Sequence, residues 1–185
     1  MIHPQNILDY LLTAEPVPTE DMPSDSVGIY ALADHEGTLS YIGSTSAENE
    51  SFRKRIHQRH RTGSESHSHY YSKIYNTGRM WRDPSAQRNH PDATISKRLR
   101  NAFIAEYCRA VCFPIDRSIH NIPRLEADVI RLAPREITRW NENTGLYYDE
   151  PIELVDVTIE KLHMTIGERE ALLRQASLCR NRMFQ

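Results

Sequence analysis

Residues 27–43 read VGIYALADHEGTLSYIG. Two short apolar and aromatic runs, Val27 to Ala33 and Leu39 to Gly43, flank Asp34-His35-Glu36-Gly37, whose turn chemistry predicts a two-stranded antiparallel hairpin. Side chains alternate faces along a strand, so Tyr30 shares a face with Gly28 and Leu32, and Tyr41 shares one with Leu39 and Gly43. Glycine weakens a strand interior. Two in one hairpin therefore predict close approach by another group, and a glycine beside a phenol leaves room that a ligand would use.

Around this hairpin the composition sets limits. A chain of 185 residues with 39% hydrophobic and 26% charged residues and a mean hydropathy of −0.62 is that of an ordinary soluble protein. No apolar run is long enough to span a bilayer, which argues against a membrane role. Residues 1–12 lack the basic start and apolar block of a signal peptide, so the cytoplasm is the expected compartment. Of the three cysteines, Cys108 and Cys112 stand one helical turn apart in an apolar stretch, which predicts core residues and neither a disulfide framework nor a zinc site.

A net charge of −2 and a pI near 6.5 give no global attraction to phosphate. The charge is nevertheless segregated. Residues 51–100 hold 12 Lys and Arg against 3 Asp and Glu, whereas the remaining 135 residues hold 11 against 22. A basic segment directly after the hairpin, with an acidic remainder, predicts a one-sided phosphate-binding face.

Outward from the hairpin, Ile7, Leu8, Leu11 and Leu12 recur at helical spacing until Glu15-Pro16-Val17-Pro18 ends the pattern, so residues 1–26 read as a helix and linker. Ser44 to Ser51 is a polar loop, and Phe52 and Ile56 open a helix whose other faces are basic. Asn76 to Pro91 is turn-rich, and its arginines 79, 82 and 88 with Trp81 are the candidates for reaching base edges. Ile95 to Phe113 reads as one helix through Leu99, Phe103, Ile104, Tyr107 and Val111. Ile152 to Val157 reads as a strand. Thr165-Ile166-Gly167-Glu168 is a capping box opening a helix through Leu172, Leu173 and Leu178. Zinc-finger spacing, helix-turn-helix wording and internal repeats are absent from the sequence.

Gly28-Ile29-Tyr30 followed by Tyr41-Ile42-Gly43-Ser44-Thr45 resembles the signature of the GIY-YIG nuclease superfamily, and most of all its small type II restriction endonucleases. The resemblance spans about residues 27–145 and implies an α/β (α+β) fold in a single domain: a small central antiparallel sheet opened by the hairpin and flanked by helices, with an insertion at 65–123 and a C-terminal extension at 146–185. Phe52-Arg53-Lys54-Arg55-Ile56 resembles the family phrase that carries the active-site arginine. Phe52 and Ile56 share a helix face, which puts Arg55 at its edge and favours it, while a loop longer than the family's keeps Arg53 as the alternative register. His60 and His69 are the candidate catalytic histidines, with His57 and His67 as alternatives. Leu125-Glu126-Ala127-Asp128-Val129-Ile130 resembles the family's second helix and marks Glu126 as the metal ligand, with Asp128 turned to solvent. Asn141, or Asn143 beside it, matches the family asparagine.

These matches imply a Mg2+-dependent endonuclease acting on double-stranded DNA, with one divalent metal per active site and no nucleotide cofactor. In that chemistry Glu126 holds the Mg2+, Tyr30 is the general base or its relay, Tyr41 positions the phosphate and Arg55 offsets charge. A free phenol titrates near 10, so Tyr30 serves as base only if cations lower its pKa. Arg53, Lys54, Arg59, Arg61, Lys73, Arg79, Arg82 and Arg88 are the candidate DNA contacts. A double-strand break needs two sites, so the implied assembly is a homodimer on DNA held through Ile7 to Leu12 and Leu172 to Met183. The alternatives are a repair, recombination or homing nuclease of the same superfamily, and a catalytically silent nucleic-acid-binding module.

Overall fold

A computed structural model describes residues 2–65, 69–83, 90–142 and 148–183, with side chains up to Asn181. His67, Arg88 and Asn143 lie outside the described residues. The fold is α+β: a four-stranded antiparallel sheet with flanking helices. Two compact units make up the chain, Met1–Arg59 with Tyr107–Thr144, and His60–Glu106 with Gly145–Gln185.

The first unit holds the sheet. After α1 (Pro4–Thr13) come β1 (Val17–Pro18), β2 (Gly28–Ala33), β3 (Leu39–Thr45) and β4 (Arg109–Pro114), in spatial order β1-β4-β2-β3. The hairpin forms as expected. Asp34 shapes its turn by accepting the backbone N–H groups of Glu36 and Thr38 at 3.0 and 2.9 Å, and Gly37 supplies a φ of +81°. Strand β3 continues through Thr45, two residues beyond its expected end, so the polar loop starts later.

Strand β4 corrects the reading of Ile95 to Phe113 as one helix. Helix α3 (Pro91–Tyr107) stops, and Arg109 to Pro114 turns extended to pair with β2 along its whole length, with Tyr30 opposite Cys112 and Ala31 opposite Val111. The run Ala110-Val111-Cys112-Phe113 is short, apolar and followed by proline, a pattern that fits a buried strand as well as a helix end. Cys112 therefore lies on a strand and not one turn above Cys108. Residues 107–123, read as part of the insertion, belong to the first unit because they hold this strand.

One face of the sheet, through Ile29, Ala31, Ile42 and Val111, packs against Ile7, Leu8 and Leu11 of α1 and Ile122 and Val129 of α4 (Ile122–Leu132). Ile7, Leu8 and Leu11 of α1 are thus engaged in their own core, while Tyr10 and Leu12 of the segment expected in a dimer contact stay exposed. The opposite face carries Tyr30, Tyr41 and Gly43.

In the second unit, α2 (Tyr70–Ile74) and α3 accompany α6 (Ile152–Lys161) and α7 (Ile166–Met183). Ile152 to Val157, expected as a strand, is the start of α6. Its buried side chains Val155, Thr158 and Ile159 recur at helical spacing, and Ile152 is exposed, so the apolar run spans helix faces. The capping box is as read: Thr165 and Glu168 exchange N–H and side-chain bonds at 2.9 and 3.3 Å. No helix among the described residues is long and apolar enough to cross a membrane.

Gly28 shows what its missing side chain is for. Its φ is +151°, and a Cβ there would lie 2.2 Å from the Phe113 carbonyl oxygen and 3.1 Å from Phe52 Cζ. The close approach read from the sequence is made by β4 and by Phe52. Gly28→Ala is expected to destabilise the protein by about 3 kcal/mol or more, since neither backbone can yield; a urea midpoint equal to that of the unchanged protein would contradict this.

Candidate active site

Strand β2 is hydrogen-bonded on both sides, and all six of its residues are buried. Tyr30 is fully buried at its centre, so its hydroxyl needs partners within the protein. Arg55 provides one, donating from Nε to Tyr30 Oη at 3.4 Å. The Tyr41 ring lies 6.1 Å from that of Tyr30 at 46°, and Phe52 meets Tyr30 edge-on at 6.4 Å. Gly43 sits directly opposite Tyr30 in the register, and a Cβ on it would fall 2.5 Å from Tyr41 Cε1 and 2.7 Å from Tyr30 Oη. The room beside the phenol, expected to admit a ligand, is filled by the two tyrosines themselves.

Arg55 and not Arg53 faces this cluster. Residues 52–62 are helical, with a π-helix over Lys54–His60, and the helix start is pinned by Phe52 N–H to Ser26 O and Arg53 N–H to Pro23 O at 3.1 and 2.9 Å. Arg53 turns away and donates to the Glu20 carbonyl. The widened turns of a π-helix recur at functional sites.

Glu126 projects from α4 toward the end of β3, where Ser44 Oγ donates to its Oε2 at 2.5 Å. Ser44 is the residue sequence reasoning passed over; as the next residue after Ile42 on the α4 side of the strand, it was legible from alternation. Asp128 points elsewhere and pairs with Arg131. Asn141, on α5 (Arg139–Glu142), accepts from Ile42 N–H at 3.0 Å and donates to Ile42 O at 2.7 Å. It clamps the strand that presents Tyr41 and Gly43, so it positions the site. Nearby, Arg139 pairs with the buried Asp34 of the hairpin turn.

The electrostatics follow from burial. Removal from water pushes the Tyr30 phenol up to about 12; Arg55 and the Tyr41 hydroxyl pull it down and the Glu126 carboxylate pushes it up further. The protein's own cation therefore does not lower the phenol below its ordinary value. Burial likewise raises the Glu126 carboxyl, offset in part by Ser44 and Arg55. Thr45 Oγ1, also buried, has no hydrogen-bond partner among the described residues.

The two candidate histidines lie in the second unit. His60 is fully buried, its Nδ1 accepts the N–H of Tyr70 at 3.0 Å at the start of α2, and its ring packs with Tyr70 and Tyr71. His69 Nδ1 lies 3.1 Å from Ser64 Oγ. In the first unit, His57 Nδ1 lies 3.0 Å from Thr19 Oγ1.

Several of the expected DNA contacts are engaged within the chain. Arg82 is buried and grips Glu65 through Nε and Nη2 at 3.0 and 2.7 Å, beside the fully buried Arg100, which pairs with the same carboxylate. Arg79 pairs with Glu150 and Asp156. Lys73 is buried, and that burial lowers its pKa. Arg61 reaches the Asn101 carbonyl at 3.5 Å. Lys54 and Arg59 remain exposed, held loosely by the Asn49 carbonyl and by Glu50.

Comparison with known proteins finds no family model, no curated protein and no solved structure that matches the chain.

Among the described residues no three His, Cys, Asp or Glu side chains are grouped to hold a metal ion, and the site offers one carboxylate, Glu126; Mg2+ binds through as few as one carboxylate with waters or substrate oxygens for the rest. Glu126, raised by burial and already oriented by Ser44, is the residue that would hold it. A carboxyl whose pKa is higher folded than unfolded loses stability as pH rises through those values, so ionised Glu126 destabilises the free protein at pH 7. Glu126→Gln is expected to raise the thermal midpoint without metal and, if Glu126 is a metal ligand, to remove any further rise with millimolar Mg2+. Equal Mg2+-induced shifts in both proteins, measured by calorimetry, would rule out Glu126 as the ligand.

Proposed function

We propose that the chain is a Mg2+-dependent endonuclease of GIY-YIG type that hydrolyses phosphodiester bonds in double-stranded DNA, acting as a sequence-specific restriction enzyme. The observation that carries this reading is the packing of Tyr30, Tyr41 and Arg55 on one face of the sheet, with the Glu126 carboxyl held by Ser44 at the end of β3 and near enough for its charge to act on the Tyr30 phenol. A buried phenol, an adjoining guanidinium and a desolvated carboxyl serve no packing purpose that leucines would not serve better.

In the proposed reaction a water oxygen attacks phosphorus, the P–O3′ bond breaks, and the departing oxygen leaves as a 3′-hydroxyl after taking up a proton. The Tyr30 hydroxyl accepts the proton of the attacking water, directly once ionised or by relay. Arg55 balances the negative charge that builds on the phosphoryl oxygens, and Tyr41 fixes the phosphate against the hairpin. Glu126, oriented by Ser44, would hold Mg2+, which would supply positive charge to offset the negative charge developing on the phosphodiester oxygens. One such site cuts one strand, so a double-strand break is the work of two chains about a two-fold axis matching the target. Of the segments expected to join them, α7 keeps Leu173 and Leu178 exposed.

The test is incubation of the purified protein with plasmid and phage DNA, with and without Mg2+. Discrete fragments support the restriction reading; cleavage of branched DNA alone points to a repair or recombination enzyme, and a gel shift without cutting to a binding module. Tyr30→Phe is expected to lower the cleavage rate by about 10²- to 10⁴-fold with DNA binding retained. Because burial holds the Tyr30 phenol well above its ordinary value, the cleavage rate is expected to rise with pH from 7 to 9. A flat profile over that range would remove Tyr30 from the proton's path.

A further inference from the structure

With Lys73, Arg79 and Arg82 engaged inside the second unit, the duplex needs another cationic surface. The first unit offers one beside the candidate site. A cleft of about 670 Å³ is lined by Ser46 and residues 117–123, two residues along the chain from the Ser44 that holds Glu126, and it ends at the start of α4, the helix that carries Glu126. Above it stands the turn Asp116 to His120. Asp116 Oδ1 accepts Ser118 N–H and Oγ–H at 2.8 and 2.6 Å, and the Asp116 carbonyl accepts from Ile119 and His120 at 3.3 and 3.1 Å, so the turn is preformed. At its tip Ile119 is 72% exposed, more than any other large apolar residue described in the first unit. Arg117 and His120 flank it, and Arg124 is exposed in the first turn of α4. Neither Arg117 nor Arg124 has an ion-pair partner among the described residues.

We propose that this turn is a DNA-binding wedge. Ile119 enters a base step from the minor groove while Arg117 and Arg124 take the phosphates on either side, which seats the adjoining phosphodiester at the Tyr30 and Glu126 cluster. A lone exposed isoleucine is common on protein surfaces, but one held on a preformed turn beside Arg117, at a cleft whose lining ends two residues from Ser44 and at the start of the helix that carries Glu126, has the chemistry of an unstacking side chain. The opposed partner is the duplex, because the cleft pairs cations with an apolar tip and its lining contains no carboxylate.

This inference rests on the endonuclease reading, and its test separates the two. Binding of a labelled duplex is followed by anisotropy from 50 to 200 mM KCl for the unaltered protein, Arg117→Ala/Arg124→Ala and Ile119→Ala, with thermal midpoints confirming that each folds. Removing two phosphate contacts is expected to lessen the slope of log K against log salt by about 1.8 and to weaken binding at least tenfold at 100 mM. Ile119→Ala is expected to weaken binding several-fold with the slope unchanged. Variants that bind with the affinity and slope of an unaltered protein that still cuts DNA would overturn the wedge and leave the nuclease standing. An unaltered protein that neither binds nor cuts the duplex overturns both.

Discussion

Burial of the Tyr30 hydroxyl in a strand that is paired on both edges is the constraint from which the first unit follows. A phenol in that position has lost water on every side, and an unmet hydroxyl there would cost about 1–3 kcal/mol. Arg55 answers it from the π-helix, which requires the helix to start where the Ser26 and Pro23 carbonyls pin it. The two tyrosine rings fit only because Gly43 has no side chain, and β4 approaches only because Gly28 has none. On the other face α1 and α4 cover the sheet with aliphatic contacts, and that packing sets the height from which Glu126 reaches Ser44.

The hairpin and α4 were legible because local chemistry and the tertiary outcome agree: turn residues at 34–37, alternation along the strands, and apolar Val129 beside a carboxylate on one helix. Where the two disagree the sequence misleads. Residues 110–113 carry no polar alternation: Ala110 and Val111 are buried, Cys112 and Phe113 half-buried, and without alternation a strand cannot be told from the end of the preceding helix. Ile152 to Val157 errs in the opposite direction, as its exposed Ile152 and Val157 extend an apolar run that only a helix divides into two faces. Tyr30, Tyr41, Arg55 and Glu126 were found through wording. Ser44 needed the register, and the role of Asn141 as a strand clamp needed the backbone of Ile42.

The segregated charge has a plainer explanation than the one its pattern suggested. Part of the acidic remainder comes back to the basic segment in space, as Glu150 and Asp156 receive Arg79 and Glu168 receives Arg98; the segment's own acids are used too, Glu65 for Arg82 and Arg100 and Asp92 for Arg174 of α7. Arg100 shows how far this goes, since complete burial lowers its pKa to about 10 even with a carboxylate attached. These charges hold α6 and α7 to the residues around α2 and α3 within the second unit. A count along the chain cannot separate cations that face phosphate from cations that face the chain's own carboxylates.

Arg55 has more claims on it than one guanidinium can meet. It donates to Tyr30, and its charge is felt by Tyr30, Tyr41, Glu126 and Glu50. Before any substrate arrives, that single positive charge is already matched by the Glu126 carboxylate, so the cluster is near neutral and the phenol stays protonated. A phosphodiester would add another negative charge and push both acids higher still. The cluster alone therefore offers a phosphodiester no net attraction. A divalent cation at Glu126 would relieve the carboxyl, attract the phosphate and lower the Tyr30 phenol in a single binding event. In the proposed enzyme, metal binding, substrate binding and activation of the base are thus one linked equilibrium, set by how deeply Tyr30 is buried.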